Sequence, residues 1–208
     1  IRLDSGDLAY LSKSARKMLD EAGLTYVTIT ASNQLDEHVI KSLIGQGAAI
    51  DIFGVGTSLV TGPPDAALDG VYKLAFAGGE PRIKLSENPE KITLPDKKQV
   101  YRFRNSDSGE FSADVVCLSD ETQLERMYHP ADTEKSFTLA GMEATPLLRK
   151  VMSEGRITMP SPSLAEISAY CATQLTQLPA EHKRFENPHI YKVGLSRKLL
   201  ELRNSLKK

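Results

Sequence analysis

The chain has 208 residues, of which 26 are basic and 27 are acidic, so its formal net charge is −1. This length is enough for one large domain or two small ones, and the balanced charge gives no support for a nucleic-acid partner. A hydrophobic content of 40% with dispersed charge indicates a folded globular protein, and no apolar run approaches the ~20 residues that a membrane-spanning helix needs.

The first third of the chain alternates strands with helices. One helix is predicted over residues 6–21 with a stop at Gly23, and a second begins near Asn33 and Asp36 and ends at residues 45–47. The strands around these helices are predicted at residues 2–3, 26–30 and 50–53. Strands separated by helices of this length pair in parallel through right-handed crossovers, so we expect an α/β fold.

The character of the sequence changes after Gly62. Short β-type runs divided by Gly, Pro, Asn and Asp predict antiparallel hairpins, and hence a β-rich region over residues 70–140. These runs are residues 71–77, 82–85, 91–94, 99–103 and 113–118.

The last section, residues 141–208, is predicted to be mainly helical. Ser163 and Glu166 have the spacing of a capping box. The helix that they open is expected to carry on one face Leu164, Ile167, Cys171, Leu175 and Leu178. A terminal helix is marked by Leu195, Leu199, Leu202 and Leu206.

Residues 50–57, IDIFGVGT, form an apolar run followed by a turn with two glycines and a hydroxyl. Glycines allow the backbone to approach an anion closely, so Gly54, Gly56 and Thr57 are a candidate phosphate site. The turn lacks the Gly-Lys-Ser/Thr of a P-loop and the third glycine of a dinucleotide fingerprint. From these residues alone, a turn that simply ends a strand remains the alternative.

Arg2 and Asp4 alternate across Leu3, so on a strand both side chains point to one side. An arginine fork suits a carboxylate in two-point contact, and Asp4 is suited to accept hydrogen bonds from sugar hydroxyls. The alternative is an Arg–Asp ion pair, with Ser5 or Asp7 capping the next helix.

Ser32 and Asn33 stand where a strand gives way to a helix, and helix N-termini attract anions and hydroxyl-rich ligands. Asn33 is equally suited to cap its helix. Three consecutive strand ends thus deliver polar groups to one edge, where ligands bind in parallel α/β folds. Together they suit a phosphorylated ribose joined to an acid-bearing ring.

Histidine and cysteine patterns do not indicate catalysis or metal binding. His38, His129, His182 and His189 lack metal-motif spacing, and surface or capping roles are expected for them. Cys117 and Cys171 lack CxxC spacing, which indicates reduced thiols in a reducing compartment and suits a cytosolic enzyme.

The sequence resembles the C-terminal part of a nicotinate phosphoribosyltransferase, nearest to the bacterial branch with a longer tail. The resemblance spans nearly the whole chain, and several motifs in order are more specific than any one. The matching motifs are IRLDSGDL (1–8), ASNQLDE (31–37), FGVGT (53–57), GVYKL (70–74), IKLS (83–86), EKIT (90–93), KQVYR (98–102), PLL (146–148), PSL (162–164) and NPHIY (187–191). Asp69 stands where a glycine is common in the family.

This resemblance implies the C-terminal part of an irregular β/α barrel of the type II phosphoribosyltransferase kind over residues 1–69, beside the β-rich region and the helical tail. It implies a cytoplasmic homodimeric enzyme of NAD biosynthesis. Nicotinate and phosphoribosyl pyrophosphate would give nicotinate mononucleotide and pyrophosphate with coupled ATP hydrolysis, and Mg²⁺ would accompany the pyrophosphate.

The resemblance also implies roles for individual residues. Arg2 would meet the nicotinate carboxylate, and Asp4 would face the ribose or ring. Ser32 and Asn33 would lie near the sugar phosphate, while the 5′-phosphate would be held by Gly54, Gly56 and Thr57.

The histidine that is phosphorylated in this family lies upstream of the RLDSGD motif, so no catalytic residue is assigned here. Ile1 opens inside a predicted strand, and we expect an N-terminal half of the same protein; the chain alone is expected to be inactive. The alternatives are a nicotinamide or quinolinate phosphoribosyltransferase of the same fold, or a non-catalytic binding or scaffold remnant.

Overall fold

A computed structural model describes residues 1–63, 66, 70–87 and 91–207 of the chain. The departure at Asp69 and the start of the EKIT motif at Glu90 lie outside these residues. The chain forms two compact units, Ile1–Val71 and Tyr72–Lys208. Within the described ranges, no helix is long and apolar enough to cross a membrane.

The first unit contains a three-stranded parallel sheet with a helix after each strand. Its elements are β1 (Arg2–Leu3), α1 (Leu8–Glu21), β2 (Thr30–Ser32), α2 (Glu37–Gly45), β3 (Ile52–Gly54) and α3 (Thr57–Thr61). The order across the sheet is β1-β2-β3, with Arg2 opposite Thr30 and Thr30 opposite Ile52. The predicted parallel β/α arrangement is confirmed for this unit.

Two aspartates begin the longer helices of this unit. Asp7 accepts a hydrogen bond from the Tyr10 backbone N–H at 3.0 Å, and Asp36 accepts one from Val39 at 2.7 Å. Each satisfies an N–H that has no partner inside its helix. The alternative of a cap at Asn33 is therefore wrong, since Asn33 lies in a left-handed turn (φ 80°) before the true cap.

Strands β2 and β3 begin later than predicted, at Thr30 and Ile52 rather than at residues 26 and 50. Just before β2 the hydrogen bonds do not follow a regular ladder, because the Ile29 carbonyl accepts from the N–H groups of both Asp51 at 2.9 Å and Ile52 at 3.2 Å. The terminal amine of Ile1 donates to the Thr28 carbonyl at 2.7 Å, and the Ile29 N–H donates to the Asp51 carboxylate at 2.7 Å. A strand's extent depends on its partner, which local composition does not encode.

The core of the first unit joins the helices to the sheet. Its buried members are Ala9 of α1, Ala31 of β2, Leu35 in the turn before α2, and Leu43 of α2. Ser12 is also buried, and its hydroxyl accepts a hydrogen bond from the Ala49 N–H at 3.1 Å. A buried polar group is tolerated when it is bonded in this way.

The second unit is built on a six-stranded mixed sheet with two small hairpins. Its strands are β4 (Phe76–Ala77), β5 (Glu80–Pro81), β6 (Lys98–Asn105), β7 (Phe111–Leu118), β8 (Arg126–Tyr128), β9 (Ser136–Thr138), β10 (Met142–Pro146), β11 (Met152–Ser153), β12 (Arg156–Ile157) and β13 (Val193–Leu195). Its helices are α4 (Leu164–Gln177), a 3₁₀ turn (Ala180–Lys183) and α5 (Arg197–Ser205). The large sheet runs β10-β6-β7-β13-β8-β9, and only the β13–β7 pair is parallel.

The predicted strands at residues 99–103 and 113–118 are confirmed as the long hairpin β6–β7. The runs at 71–77, 82–85 and 91–94 are mostly wrong. Of these residues the structure places only Phe76–Ala77 in a strand, while Lys84 and Thr93 are joined by a hydrogen bond from the Lys84 N–H to the threonine hydroxyl at 2.9 Å. The segment expected to be helical contains α4 and α5, but it also supplies β10 and β13, and Leu195 belongs to β13 rather than to the terminal helix.

The sheet buries one face in a cluster of Phe103, Ala113, Val115, Met127 and Leu139. A second cluster joins β13 to α5 through Leu195, Leu199 and Leu200. Strand β13 passes so close to β8 that a Cβ added at Gly194 would lie 2.9 Å from the Met127 sulfur. Only glycine fits this crossing without displacing the core.

The capping box of α4 is confirmed. The Ser163 hydroxyl accepts from the Glu166 N–H at 3.3 Å, and the Glu166 carboxylate accepts from the Ser163 N–H at 2.7 Å. None of the residues of α4 is buried, and Leu164 is 86% exposed. The helix covers polar groups of the sheet, among them Arg102, which donates to Gln174 at 3.4 Å.

Candidate functional site

The ends of β1, β2 and β3 meet at one edge of the parallel sheet. Ser32 at the end of β2 pairs with Gly54 at the end of β3, and Asp4 follows the last residue of β1. In parallel sheets this carboxyl edge is where ligands bind. Six of the sequence-predicted residues belong to these strands or to the turns that follow them: Arg2, Asp4, Ser32, Asn33, Gly54 and Gly56. The seventh, Thr57, is the first residue of α3.

Arg2 connects two of the three strand ends. Its Nε donates to the Ser32 hydroxyl at 2.8 Å, and its Nη2 donates to the Asp4 carboxylate at 2.9 Å. Arg2 and Asp4 are both largely exposed, at 66% and 54% of their side-chain surface. The structure therefore shows the alternative, an Arg–Asp ion pair beside a helix capped by Asp7. The ion pair is exposed to solvent.

The ion pair leaves the guanidinium with capacity for a further partner. Arginine has five N–H donors in a fixed fork, and the contacts with Ser32 and Asp4 use two of them. An exposed ion pair contributes only about 0–1 kcal/mol. An incoming carboxylate that makes two-point contact can therefore compete with Asp4 at small cost.

Asn33 follows Ser32 in a turn where both it and Gln34 have positive φ, 80° and 47°. Asparagine tolerates this left-handed conformation better than most residues. The Asn33 side chain is exposed, and with Asp36 capping α2 it is not needed for the helix. It stands at the strand-end edge as a polar side chain available to a ligand.

Gly54, Gly56 and Thr57 form the third strand end. Gly56 is the N-cap of α3 and makes no side-chain capping bond. A Cβ added at Gly56 would have no described atom within 4 Å, and one at Gly54 would only touch Ala31 and Ser32 at 3.5 Å. The space in front of Gly56 is open, and Thr57 presents an exposed side chain beside it.

Two residues that the sequence did not mark fix the chain just before β2, at the opposite end of this strand from the ligand edge. Asp51 accepts the Ile29 N–H at 2.7 Å and so fixes the start of β2. Arg16 of α1 donates to the carbonyls of Val27 at 2.7 Å and Leu24 at 3.0 Å. The only sequence signal for the role of Asp51 was a polar residue between apolar neighbours. Nothing in the sequence indicated the role of Arg16.

The strand-end residues supply a guanidinium, a carboxylate, hydroxyls and an open glycine turn. These groups bind oxyanions and sugar hydroxyls. Among the described residues, no group of three or more His, Cys, Asp or Glu side chains is arranged to hold a metal ion.

The histidines of the second unit make local contacts. His129 accepts at Nδ1 from the N–H groups of Ala131 at 3.2 Å and Asp132 at 3.0 Å. His182 Nδ1 lies 2.6 Å from the His189 carbonyl oxygen. These contacts agree with the capping roles expected for them.

Comparisons with known proteins identify the family. The model of the nicotinate phosphoribosyltransferase C-terminal domain matches residues 97–203. Nicotinate phosphoribosyltransferase of Bacillus subtilis is 43% identical over 94% of this chain and 42% of its own length. The human nicotinate phosphoribosyltransferase is 38% identical over 99% of this chain and 40% of its own length. The chain thus spans about two fifths of the length of these relatives.

Two solved structures are similar to the chain. The crystal structure of human nicotinic acid phosphoribosyltransferase matches all of it with a TM-score of 0.75 and 32% identity, over 40% of that protein. The nicotinate-nucleotide pyrophosphorylase of Pyrococcus furiosus matches 85% of it with a TM-score of 0.50 and 26% identity, over 39% of that protein. The α/β fold expected from the resemblance is confirmed, and the chain belongs to the nicotinate phosphoribosyltransferase family, whose C-terminal domain it contains.

Proposed function

We propose that this chain is part of a nicotinate phosphoribosyltransferase acting in NAD biosynthesis. The complete protein joins nicotinate to phosphoribosyl pyrophosphate and releases nicotinate mononucleotide and pyrophosphate, with coupled ATP hydrolysis. The names of the relatives and of the human structure support this reaction. The observation that carries it is the convergence of three parallel strand ends, with Arg2 bonded to Ser32 and Ser32 paired with Gly54.

Different strand-end residues bind different parts of the substrates. Arg2 binds the nicotinate carboxylate with the donors that Ser32 and Asp4 leave unused. Asp4 faces the ribose or the ring, and its carboxylate accepts hydrogen bonds from the ribose hydroxyls. Charge-assisted contacts of this kind fix the plane of the acid and place the ring nitrogen over the sugar.

The phosphate end of the sugar is assigned to the other two strand ends. Ser32 and Asn33 lie near the sugar phosphate, and the open turn of Gly54 and Gly56 with the Thr57 hydroxyl holds the 5′-phosphate. Backbone N–H groups in such turns form concave anion sites. The Mg²⁺ ion enters with the pyrophosphate and is held by phosphate oxygens and water, which suits an edge without a carboxylate cage among its described residues.

This chain binds and orients substrate, and its described residues are assigned no chemical step. The histidine that becomes phosphorylated lies in the N-terminal half of the protein, so the 208 residues alone are inactive. The complete enzyme is a cytoplasmic homodimer, and neither nucleic acid nor a membrane is a partner.

Two other functions fit parts of the same site. A nicotinamide or quinolinate phosphoribosyltransferase would use the same sugar-phosphate groups, and a binding or scaffold remnant would keep the strands without turnover. The Arg2 fork favours an acid over an amide, because an amide offers it only one acceptor oxygen.

The test is turnover of the complete protein with nicotinate, nicotinamide and quinolinate in competition, each with phosphoribosyl pyrophosphate, Mg²⁺ and ATP. We expect nicotinate to be the base that is consumed. Preferential consumption of either competitor would replace the assignment, and consumption of none of the three would favour the scaffold. The 208-residue chain is the control, and turnover by it alone would contradict the need for an N-terminal half.

A further inference from the structure

The second unit contains a cavity of about 620 Å³ between α4 and the sheet. Arg102 and Arg104 of β6 line it, with Tyr170 and Gln174 of α4 opposite. Arg149 enters from the segment after β10. The cavity shares no residue with the strand-end set, and its volume lies in the range of small-molecule sites.

The positive charge of one of the three arginines is already balanced by a carboxylate. Arg102 donates from Nε and Nη2 to the two carboxylate oxygens of Asp114, at 2.9 and 2.7 Å. Tyr191 adds a hydrogen bond to the same carboxylate at 3.1 Å. The guanidinium also stacks 4.5 Å from the Phe111 ring centroid. These contacts therefore hold the Arg102 side chain in place in the cavity wall.

The other two arginines are only partly compensated. Arg104 donates from Nη2 to Glu143 at 3.1 Å, but its Nε is buried and has no hydrogen-bond partner in the described part of the chain. Arg149 is exposed and has no hydrogen bond or ion pair with any residue that the structure describes. A buried donor without an acceptor is unfavourable and rare. At this cavity, Arg149 thus has no oxyanion partner among the described residues, and Arg104 has one donor nitrogen without an acceptor.

The wall opposite the arginines is suited to a planar ring. Tyr170 is 59% exposed and lines the cavity. The Gln174 side-chain oxygen accepts a hydrogen bond from Arg102, and the Gln174 amide donates to the Gln177 side-chain oxygen at 3.4 Å. The amide donors of Gln177 therefore remain available. Exposed aromatic faces stack on rings, and amides bind the polar edges of heterocycles.

We propose that this cavity binds a small ligand made of a planar ring that carries a phosphate or carboxylate, of the size of a mononucleotide. Arg104 and Arg149 hold the oxyanion, Tyr170 stacks on the ring, and Gln177 contacts its edge. The site is additional to the proposed reaction, because no strand-end residue takes part in it.

The test is calorimetric titration of the complete protein with three probes: AMP, nicotinate and inorganic phosphate. It is made in a background with both Arg2→Gln and Thr57→Val, so that acid binding and phosphate binding at the strand ends are both weakened and the two sites are separated. We expect AMP or nicotinate to bind with one equivalent per chain, and inorganic phosphate to bind at least tenfold more weakly. AMP alone assigns a phosphate to the site, and nicotinate alone assigns a carboxylate.

The variants that decide are Arg149→Gln, Arg104→Gln and Tyr170→Leu, with Lys150→Gln as the matched control for a lost positive charge. We expect at least a tenfold weaker affinity for the first three and no change for the control. Arg149 and Tyr170 are exposed, so their variants test the site even if Arg104→Gln fails to fold. The proposal is overturned if no probe binds, if inorganic phosphate binds as tightly as the ring-bearing probes, or if Arg149→Gln and Tyr170→Leu bind unchanged.

Discussion

The Nε atom of Arg2 donates a hydrogen bond of 2.8 Å to the hydroxyl of Ser32, 30 residues later in the chain. The Arg2 side chain thus joins the ends of β1 and β2, and backbone pairing of Ser32 with Gly54 joins β2 to β3. The contact holds the guanidinium at the ligand edge before any substrate arrives. Such preorganisation lowers the entropy cost of binding.

Replacing Arg2 by glutamine tests the acid-binding role in the complete protein. Glutamine keeps a donor for Ser32 but loses the charged fork. A hydrogen bond to a charged group contributes about 1.5–3 kcal/mol, so we expect KM for nicotinate to rise about 10- to 100-fold. Steady-state kinetics measure this. Lys13→Gln, which removes an exposed charge from the same unit, is the control, and an unchanged KM for nicotinate in Arg2→Gln would remove Arg2 from the site.

Thr57→Val tests the phosphate turn. Valine keeps the shape of threonine without the hydroxyl, and the side chain is exposed, so the fold is expected to be preserved. Loss of one bond to a phosphate oxygen should raise KM for phosphoribosyl pyrophosphate about tenfold, with little effect on KM for nicotinate. In the control Thr61→Val, the lost hydroxyl bonds only to the Thr57 carbonyl at 2.8 Å. Equal effects of the two variants would contradict a specific role for Thr57.

Arg16→Gln tests the support beneath β2. The guanidinium donates to the carbonyls of Val27 and Leu24, and its side chain is only 24% exposed. Losing charged donors from two carbonyls should lower the free energy of unfolding by about 2 kcal/mol. Urea denaturation followed by circular dichroism measures the change. Lys17→Gln, which loses only an exposed 3.8 Å ion pair, should shift stability by under about 1 kcal/mol.

The β/α order of the first unit was predictable because its signals are local. Apolar spacing marked α1 and α2, and Asp7 is a capping residue next to the helix that it caps. The ends of helices that depend on turn geometry were harder to predict. Asn33 and Asp36 are both good caps, and the positive φ of Asn33, which local composition does not reveal, decided between them.

Strands of the second unit were predictable only where they have partners. The runs at 99–103 and 113–118 became a hairpin, whereas those near 71–94 have β-type residues but mostly lack a ladder. Strand β13 was missed because its three residues are held by β7 and β8, whose own positions lie far away in sequence. Propensity is a weak guide when pairing decides.

The candidate site was easier to predict than the cavity. Arg2, Ser32 and Gly54 follow from parallel strands, whose ends share an edge whatever the details of packing. The cavity depends on α4 lying over Arg102 and Arg104, with its apolar residues exposed. Amphipathic spacing predicts a buried face but does not say which surface the helix meets.

The two cysteines should differ in reactivity towards thiol reagents. Cys117 is buried in β7, and burial raises its pKa to about 11, while Cys171 on α4 is exposed. Because the thiolate is the reactive form, we expect the folded chain at pH 8 to react with Ellman's reagent at one thiol, and the unfolded chain at two. Cys171→Ser should abolish labelling of the folded chain, and Cys117→Ser should leave it. Rapid labelling of both in the folded state would contradict this burial.

The capping box of α4 should make the start of this helix sensitive to acid. Hydrogen bonds from the Ser163 hydroxyl and backbone N–H hold the pKa of the Glu166 carboxyl below its ordinary value of 4.5. A carboxylate with a lowered pKa stabilises the folded state fully above the unfolded pKa, and this contribution is lost as the pH falls through the folded pKa. We therefore expect the ¹³Cα shifts of residues 164–167 to stay helical above about pH 5 and to move towards coil values below pH 4. Glu166→Gln should remove most of this pH dependence, and Glu110→Gln, in an exposed turn, should leave it. Identical titrations for Glu166→Gln and the unaltered chain would show that the carboxylate does not control the cap.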